Sequence, residues 1–297
     1  MFRRVKQLLS IALLTLSVCL LSGCDMVLFQ PQGSIAQQEM RLIIIAVLLM
    51  LIVVLPVIVM TVVISWRYRA SNTKATYAPN WDHSTKLEII WWGVPCVIVA
   101  VLASITWVTS HTLDPYRPLV SNVKPVTVQA VSLDWKWLFI YPEQGIATVN
   151  TLEIPEGTPI NFQVTSDAPM NSLWIPALGG QIYSMPGMRT KLHLIADHTG
   201  EYKGLGASFT GEGFADMTFA VHVVSADDFS SWVSSVQKGT NVLTREAYDQ
   251  LAKPSEREPV QYFSAVKDGL FNDIMMKFMM PAGADHNHMS MMMQEGM

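Results

Sequence analysis

Cysteine and charge are both scarce in this chain of 297 residues, and each scarcity excludes a class of protein. The three cysteines are Cys19, Cys24 and Cys96, so the sequence after residue 96 can build neither a disulfide framework nor a thiolate metal site. Only 15% of the residues are charged, which excludes a disordered chain and a nucleic-acid-binding protein of the basic kind. Hydrophobic residues make up 50%, too many for a soluble domain of this length, so we expect part of the chain to lie in a membrane.

An apolar run at residues 8–21 follows a basic N-terminus and predicts a signal peptide. The run is too short to span a bilayer but has the length of a signal-peptide core. It ends in Leu-Ser-Gly before Cys24, which resembles a bacterial lipobox, where a peptidase cuts before a lipid-modified cysteine. We predict a lipoprotein signal peptide at 1–23 and an acylated Cys24 as the mature N-terminus. The alternative is a chance cysteine behind an apolar run.

Two longer apolar runs predict a transmembrane hairpin. Residues 42–64 and 89–108 contain no charged side chain over 23 and 20 residues, enough for each to cross about 30 Å of hydrocarbon. The loop between them carries four basic residues against Asp82, and positive loops stay in the cytoplasm. We predict transmembrane helices at 42–65 and 87–108, a cytoplasmic loop at 66–86, and periplasmic ends that include an N-terminal segment at 24–41. Acylation of Cys24 requires the same orientation.

The region from 109 to 224 changes to short runs with a period of two. Residues 126–130 and 160–165 alternate apolar and polar side chains, as half-buried strands do, and turns that contain glycine or proline recur between such runs. We predict an antiparallel β-sandwich. A helical C-terminal region is expected at 225–280, with helices at 227–237, 245–253 and 264–280. A flexible tail rich in Met and His follows at 281–297.

Three motifs in this sequence resemble those of a known family. They read KLEIIWW with a following proline at 86–95, WKWLFIYP at 135–142 and NSLWIP at 171–176. They resemble subunit II of the haem-copper respiratory oxidases, most closely that of the cytochrome bo-type ubiquinol oxidases, over nearly the whole chain. The resemblance implies a cupredoxin-like sandwich. In the cytochrome c oxidases of this family, that sandwich holds a binuclear copper centre.

The copper ligands that the resemblance implies are mostly replaced in this chain. The first family histidine corresponds to Asn171, and of the Cys-x-x-x-Cys-x-x-x-His-x-x-Met loop only Met217 remains. The other ligand positions hold Gly206, Ser208, Thr210 and Phe214. A thioether and a backbone carbonyl cannot replace the thiolates and imidazoles that two copper ions need, so we predict no metal in this chain. Three further histidines take no ligand position in the motif: His193, His198 and His222.

Without copper, electrons cannot pass from cytochrome c through this chain. The resemblance then implies an accessory subunit that holds no cofactor and is not catalytic by itself, in a proton-translocating ubiquinol oxidase. Its partners would be catalytic subunit I, with the haems, copper and ubiquinol, and further small membrane subunits. The segment from residue 108 has 12 Lys and Arg against 20 Asp and Glu, a surface that could attract a basic cytochrome, but a docked cytochrome would have no electron acceptor. The predicted location is the bacterial inner membrane, where Asp25 resembles a retention signal.

Three motif residues suggest contacts with the catalytic subunit. Trp135 and Trp137 are expected to pack rather than carry electrons, and we predict that they seat the sandwich on subunit I. Glu88 lies at the cytoplasmic entrance of the second helix, where a carboxylate is costly and suggests a function. The resemblance places it near the entry of a proton path into the catalytic subunit. The alternative is an interfacial acid paired with Lys86 or the loop arginines.

A second class of function remains open from the sequence. Residues 275–297 hold nine methionines together with His286 and His288, and thioethers and imidazoles suit copper. The chain could therefore be a lipid-anchored copper-binding or copper-delivery protein. A flexible tail without metal is the alternative explanation of the same residues.

Overall fold

The computed structural model describes residues 26–76, 80 and 82–279. The predicted signal peptide, Cys24 and the residues from 280 to the end therefore lie outside the described part. Two long helices open it, α1 at Ser34–Arg67 and α2 at Thr85–Thr112. Both are long and apolar enough to cross a membrane. At 1.5 Å per residue they measure roughly 51 and 42 Å, longer than a hydrocarbon core, so each continues into the interface.

The N-terminal end of α1 is attached to the rest of the chain by backbone hydrogen bonds. The Gln32 amide donates to the Ala177 carbonyl at 2.8 Å, and the Gln32 carbonyl accepts from the Asp197 amide at 2.8 Å. The Ala36 amide donates to the Leu178 carbonyl at 3.2 Å. The Ala36 bond satisfies a donor that the first turn of a helix otherwise leaves unpaired. The three bonds together fix the hairpin on two turns of the following domain.

Two glycines permit this close approach. A Cβ atom on Gly33 would lie 2.4 Å from the Ile195 carbonyl oxygen. A Cβ on Gly179 would lie 2.7 Å from the Ala36 nitrogen, and Gly179 has a φ of +88°, in the left-handed region that favours glycine. A side chain at either position would therefore force the neighbouring backbone to move.

Ten strands form the body of the following domain. They are β1 Val126–Leu133, β2 Lys136–Tyr141, β3 Ile146–Val149, β4 Thr151–Pro155, β5 Ile160–Ser166, β6 Asn171–Trp174, β7 Gln181–Ser184, β8 Thr190–Leu194, β9 Gly200–Gly206 and β10 Thr218–Val224. A later strand, β12 at Gln261–Phe263, joins the first sheet. The sheet orders are β12-β3-β2-β1-β5-β8 and β4-β10-β9-β6-β7.

The predicted sandwich is confirmed, although it is not wholly antiparallel. Strand β1 pairs with β5 in parallel, and so does β4 with β10. The other pairs in the two sheets are antiparallel. Alternation of apolar and polar residues reports which face of a strand is buried. It does not report the direction of the neighbouring strand, which depends on how the connections cross.

The core between the sheets is rich in aromatic side chains. The Trp137 ring lies 6.3 Å from Phe139 and 6.0 Å from Phe219, centroid to centroid. Trp137 has no exposed surface, so it cannot contact another subunit. That corrects the role predicted for this residue, since its strand is covered on both faces.

The C-terminal region contains three helices and three short strands. Helix α3 at Ala226–Gln237 is capped by Ser225, and α4 at Arg245–Leu251 is capped by Thr244. Strand β11 at Val242–Leu243 pairs in parallel with β13 at Ala265–Val266. The last helix, α5, covers only Leu270–Met276, much less than the predicted 264–280. Ala265 and Val266 pair as a strand, and Gly269 takes the left-handed conformation just before the helix.

This C-terminal region covers the outer face of the six-stranded sheet. Side chains from β1, β2 and β3 form a second apolar cluster with side chains of the C-terminal elements, among them Tyr248, Leu270 and Ile274. All six residues of β2 are consequently buried. Burial on both faces explains why the motif at 135–142 shows no simple alternation.

A buried lysine fastens the C-terminal region to the sandwich. The Lys136 side chain is 1% exposed; its ammonium donates to the Lys253 carbonyl at 2.8 Å and to the Ser255 hydroxyl, and lies 3.7 Å from the Glu258 carboxylate. Burial lowers the pKa of Lys136, while Glu258 acts in the opposite direction. The segment at 253–258 therefore supplies the acceptors that a buried ammonium requires.

Replacing this lysine should loosen the C-terminal cover. Lys136→Ala leaves a cavity and removes the cationic partner of Glu258, so we expect a loss of about 2 to 4 kcal/mol in stability. The measurement is the thermal unfolding of the detergent-purified full chain, with limited proteolysis between residues 253 and 258. Lys203→Ala, at an exposed position, is the control. Equal melting of both variants would contradict the anchoring role of Lys136.

Candidate functional site

The loop that corresponds to the family's copper loop follows the end of β9, and this end of β9 and the start of β6 point away from the attached turns at 177–178 and 197. Asn171 begins β6, and β6 pairs with the last residues of β9, with Leu173 opposite Gly206. The chain then runs through a short 3₁₀ helix at Glu212–Asp216 before it enters β10. This geometry brings four of the predicted positions together, namely Asn171, Gly206, Ser208 and Met217.

The Asn171 side chain is fully buried and organises this group. Its amide oxygen accepts from the backbone nitrogens of Ser172 at 2.7 Å and Ser208 at 3.2 Å. Its amide nitrogen donates to the Met217 sulfur at 3.0 Å. Backbone N–H groups can only donate, so they fix which end of the amide faces them. A hydrogen-bonded amide thus fills the centre of the group.

Gly206 and two serines close the remaining space. A Cβ atom on Gly206 would lie 2.8 Å from the Asn171 amide nitrogen, so the glycine and the asparagine fit each other. The hydroxyls of Ser172 and Ser208 lie 2.8 Å apart. Met217 is 1% exposed. The side chains therefore pack and bond to one another rather than surround a cavity.

Thr210 and Phe214, the other two predicted positions, contact different residues. The Thr210 carbonyl accepts from the Trp135 indole nitrogen at 3.2 Å, and Phe214 lies 5.6 Å from the Phe209 ring. Trp135 is partly buried and packs on the same loop, since a Cβ on Gly213 would lie 2.6 Å from its ring. Trp135 therefore packs on a loop of its own chain and donates a hydrogen bond to it. Its predicted contact with another subunit stays a prediction.

The donor set at this site does not fit a binuclear copper centre. The group offers an amide, one thioether and two hydroxyls, whereas paired copper ions need bridging thiolates and imidazoles. Within the described residues, no group of three or more His, Cys, Asp or Glu side chains is arranged to hold a metal ion. The other histidines of the domain lie on β8, in the turn after it and on β10: His193, His198 and His222.

Glu88 lies in the first turn of α2, at the far end of the hairpin from the sandwich. Its carboxylate is 2.6 Å from the His83 Nδ1 atom, and the His83 Nε2 atom is 3.2 Å from the Thr85 hydroxyl. The observed partner is therefore His83, rather than Lys86 or a loop arginine. A carboxylate is also favoured at a helix N-terminus. The result is a short polar chain that is open to solvent.

Sequence reasoning missed a second buried charge, Asp167. Its side chain is 1% exposed and accepts from the Tyr248 hydroxyl at 2.6 Å and the Lys277 ammonium at 2.7 Å. Burial is the main cause that raises the pKa of Tyr248, followed by the hydrogen bond to Asp167. The partners lie 81 and 110 residues further along the chain, so no local pattern could have indicated them.

Two family models match this chain. The model described as cytochrome C oxidase subunit II, transmembrane domain, matches residues 24–107. The model described as COX aromatic rich motif matches residues 237–282. The first covers the described hairpin, which is therefore that of a two-pass inner-membrane protein. The second covers most of the C-terminal region that packs on the outer face of the sheet.

Curated relatives extend the similarity. The chain is 57% identical over 259 residues to cytochrome bo(3) ubiquinol oxidase subunit 2 of Pseudomonas aeruginosa, covering 87% of this chain and 78% of the relative. It is 50% identical over 264 residues to ubiquinol oxidase subunit 2 of Acetobacter aceti, covering 88% and 86%. The periplasmic domain of subunit II of cytochrome oxidase (CoxB) of Bradyrhizobium japonicum is 26% identical, with a TM-score of 0.37 over 39% of this chain and 96% of that domain. The chain thus belongs to the family of subunit II of the haem-copper oxidases, in its bo-type ubiquinol oxidase branch.

Proposed function

We propose that this chain is the non-redox subunit II of a proton-translocating ubiquinol oxidase. Catalytic subunit I would hold the haems and copper, oxidise ubiquinol and reduce oxygen to water. The observation that carries the proposal is the combination of high identity to ubiquinol oxidase subunits 2 with a copper-loop position filled by the Asn171 amide. The chain would support assembly of subunit I and proton uptake, and it would bind no cytochrome c.

Purification from membranes tests this assembly. A subunit of a quinol oxidase should co-purify in equal amounts with a haem-bearing integral membrane protein. A lipid-anchored copper-delivery protein, the second candidate, should not. The identity to oxidase subunits favours the first function, and the histidines of the tail on which the second depends lie outside the described residues.

The membrane orientation follows from the same proposal. The sandwich is attached at the start of α1 and follows the end of α2, while the basic loop lies at the other end of both helices. The positive-inside rule then supports a cytoplasmic loop and a periplasmic sandwich. An acylated Cys24 would add a lipid anchor on the periplasmic side.

Proton uptake is assigned to the cytoplasmic end. The Glu88 carboxylate lies within hydrogen-bond distance of the His83 imidazole, which contacts Thr85. Groups of this kind pass protons when they are linked to water on one side and to an acceptor on the other. Glu88 would receive protons from the cytoplasm and pass them toward subunit I.

One prediction of this proposal concerns copper. The purified complex should show no near-infrared absorption and no mixed-valence spin signal of a binuclear copper centre in this chain, because the donor set is unsuitable. Two coppers bound in the sandwich would contradict the proposal.

Restoring the ligands should create such a centre. The variant combines Asn171→His, Gly206→Cys, Ser208→Glu, Thr210→Cys and Phe214→His, and the same two spectra detect copper. Gly206→Cys by itself is the control, and it should destabilise the loop because its Cβ would lie 2.8 Å from Asn171. A folded fivefold variant that stays free of metal would show that the loop geometry has diverged too far.

A further prediction concerns Cys24. Cys24→Ser should abolish acylation and lipoprotein-type processing, yet the protein should remain in the membrane fraction because two spanning helices suffice. Metabolic labelling with palmitate and fractionation measure both effects. Wild-type protein without lipid label would contradict the lipobox, and a soluble variant would contradict the hairpin.

The last prediction concerns Glu88. Glu88→Ala should slow quinol oxidase turnover severalfold with assembly and haem content intact, whereas Glu88→Asp should retain part of the rate. Asp82→Asn, in the same loop, is the matched control and should leave turnover unchanged. Oxygen consumption of the purified complex is the measurement. Normal turnover of assembled Glu88→Ala would leave this residue with a structural role beside His83.

A further inference from the structure

A cavity of about 340 Å³ lies where the hairpin meets the sandwich. Its walls come from Ile35 at the start of α1, from residues 112–120 at and after the end of α2, and from His193 on β8. The volume falls at the small end of the range for ligand sites, about 300 to 1,000 Å³. Neither the loop at 206–217 nor the pair of His83 and Glu88 lines it.

The cavity lies at the depth of lipid headgroups. The apolar run of α2 ends at Val108, so Thr112 at the cavity wall is roughly 6 Å beyond it, and Ile35 is roughly 10 Å before the run of α1 at Leu42. Headgroup layers add about 5 to 8 Å on each side of the hydrocarbon core. Trp107, which is 71% exposed, marks the same boundary. The cavity therefore extends from the headgroup layer at Thr112 to its outer edge at Ile35, within reach of the phosphate and amine groups of a bilayer.

His193 presents a hydrogen-bond acceptor to this cavity. The residue is 8% exposed, and its Nδ1 atom lies 2.9 Å from the Pro115 carbonyl oxygen. A carbonyl can only accept, so Nδ1 carries the proton and Nε2 of the neutral ring has a free lone pair. Among the described residues, Nε2 has no hydrogen-bond partner, and it is not one of the fully buried polar atoms, so a ligand in the cavity can reach it. A ligand N–H group would satisfy it.

The cavity also contains one charge of each sign. Asp114 and Arg117 both line it. One Asp114 oxygen accepts from the Tyr116 amide at 2.9 Å, which holds the carboxylate in place and leaves the other oxygen available. Neither residue forms an ion pair with any described residue. An accessible imidazole nitrogen and the exposed side chains of Asp114 and Arg117 line one small cavity, and together they complement a zwitterion whose cationic end has N–H donors.

We propose that this cavity binds the headgroup of a phospholipid with a primary ammonium group. The ammonium donates to the His193 Nε2 atom and to the Asp114 carboxylate, and the phosphate accepts from the Arg117 guanidinium. The exposed Val120 side chain lies beside the path of the glycerol and acyl chains. The bound lipid bridges the end of α2 and the sandwich. This inference rests on the membrane position of the hairpin and is independent of the proposed oxidase function.

The test measures which lipid the full chain retains. The purified complex is exchanged into nanodiscs with equal parts of phosphatidylethanolamine, phosphatidylcholine and phosphatidylglycerol, then delipidated and analysed by native mass spectrometry. The choline headgroup has no N–H donor and the glycerol headgroup has no cation, so we expect one phosphatidylethanolamine to be retained about tenfold over either. Equal retention of the three lipids would overturn the proposal.

Variants assign the retention to this cavity. His193→Leu and Arg117→Gln should each lower phosphatidylethanolamine retention about tenfold, while His193→Gln, which keeps a donor for Pro115 and an acceptor, should retain most of it. His222→Leu and Lys238→Gln, outside the cavity, are the matched controls. Arg117 is exposed, so its variant tests the site even where His193→Leu unfolds. Retention that is the same in Arg117→Gln and Lys238→Gln would overturn the site.

A soluble competitor separates a lipid from a free ligand. O-phosphoethanolamine carries the same charged groups without acyl chains, so at equal concentration it should fail to displace the bound lipid. Displacement would assign the cavity to a soluble ligand and overturn the lipid assignment. A structure of the assembled complex with partner side chains filling the cavity would overturn it as well.

Discussion

The backbone bonds that tie Gln32 and Ala36 to the turns at 177–178 and 197 fix where every other feature lies relative to the membrane. They hold the sandwich at the start of α1, and the chain enters the sandwich again from the end of α2. The loop between the helices is thereby kept at the opposite side. Glu88 consequently lies roughly 36 Å along α2 from Thr112, the full thickness of a bilayer away from the sandwich.

The loop at 206–217 and β6 are joined by one side-chain amide at the positions where the resemblance implies copper ligands. A metal centre joins β6 and the loop before β10 through several ligands. Here one buried amide does so, bonding the backbone of both segments and the Met217 sulfur. A buried amide without partners would be costly, but this one has three. The glycine at position 206 is needed for this arrangement, since a side chain there would occupy the space of the Asn171 amide.

The C-terminal region adds a third layer to the two-sheet sandwich. It buries the outer face of the six-stranded sheet, so β2 lies between two apolar clusters. Two polar anchors hold this cover, Lys136 with the segment at 253–258 and Asp167 with Tyr248 and Lys277. Both place a charge where water is excluded, which specifies one position for the cover because any shift would leave that charge unpaired.

The sequence by itself determined the features that depend on neighbouring residues. Apolar runs of 23 and 20 residues are sufficient to predict a hairpin, because a backbone in hydrocarbon must satisfy its own hydrogen bonds. The sequence also showed, position by position, that most of the copper ligands implied by the resemblance are absent, since a residue type either offers a copper donor or does not. Alternation likewise predicted a sandwich, and the turn residues predicted its approximate extent.

Only the tertiary structure decided features that depend on residues distant in the chain. The parallel pairing of β1 with β5, the burial of Trp137 and the strand at 265–266 all follow from what packs on a segment, which its own sequence does not record. The partner of Glu88 was within reach of sequence reasoning but depended on the fold of the loop. Asn171 could be recognised as a lost ligand, yet its three hydrogen bonds join segments 37 and 46 residues away. The acceptor on His193 likewise exists because Pro115, 78 residues earlier, occupies the other side of the ring.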